Sequence, residues 1–465
     1  MNHLTQHVGA FFEAHPEIDV LEAFIVDING QLRGKWVPVG SVDKVMNGQL
    51  RFPKSSFLLD IWGNEVPASG FGAPVGDPDG LCTPVPETLS VVTWTERPVA
   101  QLLLSMRDRD GTPFFADPRQ VLSRVIQRYE ARGWIPVVAC ELEFHLIDRR
   151  LDHGRPVPAR SPATGRRLSG RNVYGISELE EFETVFADMG GTFEAQGIPA
   201  DTSISEYGVG QYEINLRHVP NALSAADHCV LMKRAIKGVA RKHDLNATFM
   251  AKPFPKDSGN GLHVHFSVLD ESGRNLFALG AGQGDGQGNS QGNRQGALHL
   301  RHAMGGLLTT MHDAMAVCSV NANSFRRFEA GAFAPTAATW GWDNRNTALR
   351  VPDSDAAGTR IEHRVAGADA EPHLVIAAVL AGALHGIEHA VDPGEPVVGN
   401  AIPDDATRLP VLWDDALDAF EGSDFIGEFF GEPFRKVFAA LKRQEKQKFE
   451  AVITTHEYET YLRKI

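Results

Sequence analysis

From Val20 to Val39 short apolar, strand-forming runs flank Asn29-Gly30 in the text VLEAFIVDINGQLRGKWVPV. Asn-Gly favours the two-residue turn of a β-hairpin, so a small β-rich unit is predicted to start the chain. A stretch dense in Pro and Gly, 52–86, leads to another strand at Val99–Met106. At Asp117-Pro118 the period changes. An N-cap and a first-turn proline precede apolar Val121, Leu122, Val125, Ile126 and Tyr129, and Gly133 stops the helix. Helical periodicity recurs at 178–189, 222–243, 297–318, 373–390, 415–430 and 433–452, with short strands between. This predicts an α+β fold with a boundary near 110, residues 1–110 forming a small domain and 111–465 a large one. The Gly/Gln/Asn tract Gly280–Gly296 is too polar to bury itself and is expected as a mobile surface loop.

The longest apolar run, Leu374–Leu384, is shorter than the roughly 20 residues a membrane span needs and reads as a buried helix. A net charge of −14 argues against nucleic-acid or anionic-membrane partners. The four cysteines, at 82, 140, 229 and 318, have no paired short spacing and no basic-then-apolar leader precedes them. A reducing, cytoplasmic setting without disulfides is expected.

Four segments carry candidate chemistry. In 137–145 (VVACELEFH), Glu141 and Glu143 share one strand face, either solvated or functional. In EYGVGQYE, Glu206 and Glu213 meet only if Gly208 and Gly210 allow a kink. SGNGLHVHFS puts His263 and His265 on one face after a glycine-broken loop, and RIEHR alternates Arg360, Glu362 and Arg364, which as a self-neutralising ladder need not be functional. Five carboxylates and one imidazole suit hard ions such as Mg²⁺ or Mn²⁺. Arginines beside them fit metal-assisted phosphoryl transfer, and no Walker-type loop occurs to hold a nucleotide in the usual way.

These segments, in this order, resemble the glutamine synthetase family: ELEF at 141–144, EYGVGQYE at 206–213, NGLHVHFS at 260–267, NSFRRFEAGAFAP at 323–335, NRNTALRVP at 344–352 and RIEHR at 360–364. The resemblance implies a small N-terminal β-grasp domain and a catalytic domain with an antiparallel sheet surrounded by helices. It implies ATP as substrate, two or more Mg²⁺ or Mn²⁺ ions, and a dodecamer of two stacked hexameric rings with sites between subunits. Carried over residue by residue, it assigns Glu143, Glu206 and Glu213 to one metal, and Glu141, His263 and Glu362 to a second. Gly259, Arg327 and Arg364 fall to glutamate; His265, Ser267, Arg345, Arg350 and Arg360 fall to ATP and the moving phosphate. Arg345, Glu362 and Arg364 would take part directly in catalysis.

Two departures point away from ammonium as the nucleophile. Where the family's glutamine-forming members read Phe-Asp-Gly-Ser-Ser and Gly-x-Glu-Ala-Pro, this chain has Pro53 in FPKSS and Phe333 in GAFAP. Losing both acids removes the charge that holds ammonium and favours an amine with a carbon skeleton. The phrases LRGKWVP, ELEFHLIDR, VGQYEINL, ATFMAKPF and EHRVAGADAEPHL are most similar to the branch that joins glutamate to putrescine and other polyamines. Ethanolamine, a short alkylamine or an aromatic amine is the alternative, and a true glutamine synthetase or an inactive ring-forming relative the remoter one. Asp60, Glu65, Glu329 and Asp343, with Trp62, Trp340 and Trp342 as cation–π walls, are candidates for the amine pocket, unless the tryptophans only pack an interface. The loop 397–410 has no tyrosine, so adenylylation there is not expected.

Overall fold

The computed structural model describes residues 3–279, 291–329, 334–400 and 402–465, with side chains left out at 3–7 and 291–296. The predicted hairpin forms from β1 (Val20–Val26) and β2 (Leu32–Pro38), with Gly30 at φ 70°. Asp27 pins the turn, accepting from the backbone N–H of Asn29 at 2.9 Å and of Gln31 at 2.8 Å. With β3 (Leu50–Pro53), β4 (Asp79–Pro84), β5 (Ser90–Val92) and β6 (Val99–Arg107) it builds a six-stranded sheet in the order β2-β1-β6-β4-β3, β5 also pairing with β6. β1 and β6 run parallel, the others antiparallel, the β-grasp arrangement expected. The chain does not begin with this unit. Helix His3–Ala14 precedes it, and its spacing of Leu4, Val8, Phe11 and Phe12 was there to be read.

The second sheet contains β7 (Ile135–Asp148), β8 (Ala200–Ser205), β9 (Gln211–Leu216), β10 (Leu245–Thr248), β11 (Leu262–Leu269), β12 (Trp340–Trp342), β13 (Leu349–Val351) and β14 (Ile361–His363). Its order is β12-β13-β14-β11-β7-β9-β8, β10 also pairing with β7. Every pair is antiparallel except β12 with β13.

Helices cover it. Asp117 caps helix Pro118–Glu130 through the N–H of Arg119 at 2.9 Å, and its other oxygen accepts from Ser105 and from the Met106 N–H, both at 2.8 Å. One carboxylate thus starts the helix and ties it to β6. The run Leu374–Leu384 lies buried within helix Pro372–His389. There a side chain on Gly306 would meet Gly382 O at 2.2 Å, so helix Gln291–Thr310 approaches backbone to backbone. That helix takes in the last six residues of the glycine-rich tract, correcting the loop expected over 291–296; residues 280–290 lie outside the described residues. Three other predicted helices are divided: 178–189 into Ile176–Glu181 and Glu183–Ala195, 297–318 into Gln291–Thr310 and Met315–Cys318, and 415–430 into Trp413–Gly422 and Asp424–Phe430, where Ser423 caps the second piece. All four cysteines are free and buried. No helix among the described residues is long and apolar enough to cross a membrane.

Candidate active site

β11 lies between β7 and β14, and its register builds the site. His263 stands opposite Glu141, and His265 opposite Glu362. Glu143 faces Glu213 across β7 and β9, and Arg350 faces Glu362 across β13 and β14. Period-two alternation therefore sends these side chains to one face, while Leu142, Val264 and Phe266 go to the other. Glu206 arrives differently. β8 ends at Ser205, and a hairpin turn returns the chain at Gln211, where the Glu206 N–H bonds Gln211 O at 2.8 Å. The kink supposed within one strand is a turn between two. Gly210 makes it at φ 69°, and a side chain on Gly208 would meet Gln211 Oε1 at 2.7 Å.

His263 sits at the centre. Its Nδ1 is 3.2 Å from Glu141 and 3.8 Å from Glu362, and its Nε2 is 3.9 Å from Glu143. His265 Nε2 is 3.0 Å from Glu141. Two groups offer ligand atoms within 4.8 Å of one another: Glu141, His263 and Glu362, and Glu143, Glu213 and His263. The first is the set expected for one ion; in the second His263 stands where Glu206 was expected. The donor chemistry, mostly carboxylate oxygen, fits a hard divalent cation.

Electrostatics divide the carboxylates. Burial alone would raise Glu141, but His263 and His265 hold it below its ordinary value; Glu362 is likewise opposed by burial yet held at about 2 by Arg364 and the imidazoles. Glu206 is pushed up to about 7 by burial and by Glu143, with Arg345 partly offsetting this. Glu213 is pushed well up by burial and by Glu141, Glu143 and Glu206. Crowded carboxylates of this kind are relieved by a cation.

The remaining expected residues border this centre. Gly259 leaves no room for a side chain, since a Cβ would meet Ala251 O at 2.6 Å and Arg327 Cγ at 2.8 Å. Arg327 is buried and donates to Val365 O at 3.0 Å. Arg364 and Arg350 both bond Glu362, the latter at 2.8 Å, while Arg360 donates to His265 at 3.2 Å. Ser267 is buried on β11, and Arg345 is exposed on the side of Glu206. The RIEHR ladder is thus no exposed face: Glu362 is 1% exposed.

The amine-pocket candidates do not gather here. Asp60 is fully buried and already accepts from Trp62 N–H at 3.1 Å, Asn64 N–H at 2.8 Å, Gln444 at 3.0 Å and Lys448 at 2.5 Å. It fastens the first sheet to helix Glu432–Glu450 and has no oxygen left for an incoming ammonium within this chain. Trp340 is buried with its indole N–H on Gly394 O at 3.2 Å, which corrects its reading as an open cation–π wall. Trp342 stacks edge-on against it at 5.5 Å; Asp343 is taken by Arg350, and Glu65 by the Ala73 N–H. Glu329 is 3.2 Å from Lys252. Trp62 is exposed and Pro53 half-buried at the end of β3. Phe333 lies outside the described residues.

Sequence reasoning passed over Gln211, which donates to Glu143 at 3.0 Å and to Gly259 O at 3.0 Å, and Asn215, 3.5 Å from Glu141. Both share Glu213's face at period two. That alternation was the available signal.

Among known proteins, the sequence model of "Glutamine synthetase, catalytic domain" matches residues 115–461. The chain belongs to the glutamine synthetase family. It is 39% identical to γ-glutamylputrescine synthetase PuuA of Escherichia coli (strain K12), across 99% of this chain and 95% of that one. It is 31% identical to a glutamate–isopropylamine ligase of a Pseudomonas species, across 98% and 97%. A solved structure described as "GmaS/ADP complex-Conformation 1" superposes with a TM-score of 0.82 at 28% identity, covering 97% of this chain and 99% of that one.

Proposed function

We propose that this protein uses ATP to join the γ-carboxylate of L-glutamate to an organic amine, putrescine or another polyamine, through γ-glutamyl phosphate, releasing ADP and phosphate. The observation that carries the reading is the single sheet face on which Glu141, Glu143, Glu213, Glu362, His263 and three arginines converge. Similarity to the putrescine enzyme over nearly the whole chain supports the choice of amine. So does the sequence at Pro53, where no acid stands and the following Lys54 is already paired with Asp108.

Glu141, His263 and Glu362 would hold one divalent ion, and Glu143, Glu213 and Glu206 another, Glu206 turning in from its hairpin. Such ions, Mg²⁺ or Mn²⁺, offset phosphate charge and orient the nucleotide. Arg327 and Arg364 would bind glutamate above Gly259, whose lack of a side chain lets the substrate meet backbone. Arg345, Arg350 and Arg360, with His265 and Ser267, would take the phosphates, and Arg345 and Arg364 would stabilise charge as the phosphoryl group passes to glutamate. The amine then attacks the acyl phosphate, forming the amide and expelling phosphate.

The reading extends to a cytoplasmic protein, consistent with four free thiols, and to a dodecamer with sites between subunits. It keeps two domains, 1–110 and 111–465, which the two separate sheets support. A panel of ammonium, putrescine, ethanolamine and isopropylamine, followed by ATP-dependent phosphate release, tests the function. Putrescine is expected to be used best. If ammonium outperforms every organic amine, the reading fails. A ligase for a short alkylamine is the second reading, favoured by the isopropylamine relative.

A further inference from the structure

On the side of the second sheet away from the carboxylates lies helix Ala222–Lys242, whose Cys229 thiol neighbours Cys140 behind Glu141. Between this helix and the Asn29–Leu32 turn of the first sheet is a cavity of about 600 Å³. That volume is in the range of small-molecule sites, roughly 300–1,000 Å³. Lys233, Lys237 and Arg241 line it from successive turns of the helix, with Arg234 beside them and Phe249 as an aromatic wall.

We propose that this cavity binds a small molecule carrying two anionic groups, a dicarboxylate or a diphosphate, at a site separate from the catalytic face. The charges present are not used up internally. Arg234 is paired with Glu22, and Lys233 is spent on Ala368 O at 2.8 Å and Ala370 O at 3.2 Å. Lys237 and Arg241, both exposed to solvent, have no carboxylate partner among the described residues; the Lys237 ammonium lies 5.5 Å from the Phe249 ring. The cavity's one acid, Asp369, already has its Oδ2 bonded to Asn321 at 2.8 Å and Ser324 at 2.7 Å. Lys237 and Arg241 stand about 6 Å apart along the helix axis, which matches two anionic groups on one short molecule. In a chain of net charge −14, two adjacent unpaired cations beside a cavity of this size give it a local positive charge that suits an anionic occupant.

The test measures acetylation of Lys237 in the intact protein by peptide mass spectrometry, with exposed Lys44 as internal reference and with succinate or inorganic pyrophosphate as probe. At ten times its Kd, a bound probe should slow labelling of Lys237 roughly tenfold and leave Lys44 unchanged. Arg241→Gln should remove that protection without altering kcat. Protection by succinate marks the ligand as a dicarboxylate, and by pyrophosphate as a diphosphate; either supports the proposal. It is overturned if neither probe protects Lys237 more than Lys44, or if protection survives in Arg241→Gln. It is also overturned if Lys237 is protected without a probe and released on dilution, because an acidic segment of another copy would then fill the cavity.

Discussion

The two faces of the second sheet are built from the same strands and have opposite characters. One carries Glu141, Glu143, Glu213, Glu362, His263 and His265; the other, one residue out of step, carries Cys140, Leu142, Val264 and Phe266 against helices. Both are largely withdrawn from water: Glu362 is 1% exposed and Leu262 0%. Burial is therefore no guide to which face is structural. On the apolar face burial stabilises the fold; on the other it raises Glu206 and Glu213 against their neighbours, while Glu141 and Glu362 are held down by imidazoles and arginine, so that face carries both strain and support.

The sharpest break of this comparison is a pair of substitutions. Glu362→Ala should reduce turnover about 10³-fold, the scale of losing a group that places transition-state charge, and should also lower stability, because Arg350 and Arg364 lose their buried partner. Leu262→Ala, on the opposite face of the neighbouring strand, should lower stability by about 3 kcal/mol through the cavity it leaves, while folded molecules keep their kcat. Urea unfolding and steady-state phosphate release on both variants check this. If Leu262→Ala abolishes kcat in fully folded protein, or Glu362→Ala retains turnover, the division of labour is wrong.

The same alternation explains how much could be read beforehand. β7 and β11 were legible because a polar residue at every second position of a strand otherwise built of Val, Leu and Phe marks a face. Glu206 was not, because its approach depends on a hairpin turn, and a register across strands is not written in either strand alone. Asp60 misled because its four partners come from its own turn and from residues 444 and 448, far along the chain. The β12 and β13 pair is parallel in an otherwise antiparallel sheet for the same reason: short strands carry no mark of their partner's direction. The placing of substrates came from the family resemblance.

A smaller effect sharpens the contrast without damaging either face. If the crowded carboxylates are held apart only by protonation, Mg²⁺ should stabilise the protein, by about 2.7 kcal/mol at a hundred times its Kd. Glu213→Gln should be more stable than the parent without metal at neutral pH, because the amide is neutral without the proton that burial, Glu141 and Glu143 force on Glu213 when the chain folds. The same variant should gain less from Mg²⁺ and lose turnover. Thermal unfolding with EDTA and with Mg²⁺ measures both, and an equal gain in the two proteins would remove Glu213 from the metal set.

The effect confined to alkaline pH belongs to the helical layer behind the apolar face, where charge is buried and fully satisfied. His373 lies 2.7 Å from Glu371 and 2.9 Å from Asp227, which in turn is bonded by Arg119 at 3.0 Å. Burial would lower the imidazole, but the two carboxylates raise it from 6.5 to about 10. The folded state therefore binds a proton that the unfolded chain releases above about pH 6.5. Its contribution is complete below that pH and is lost as pH rises towards 10. His373→Gln should flatten the fall in stability between those limits and leave the dependence below about pH 6 unchanged, as measured by urea midpoints across the range. An unaltered alkaline slope would mean that His373 is neutral between its two carboxylates, and that this layer, unlike the catalytic face, carries no stored charge.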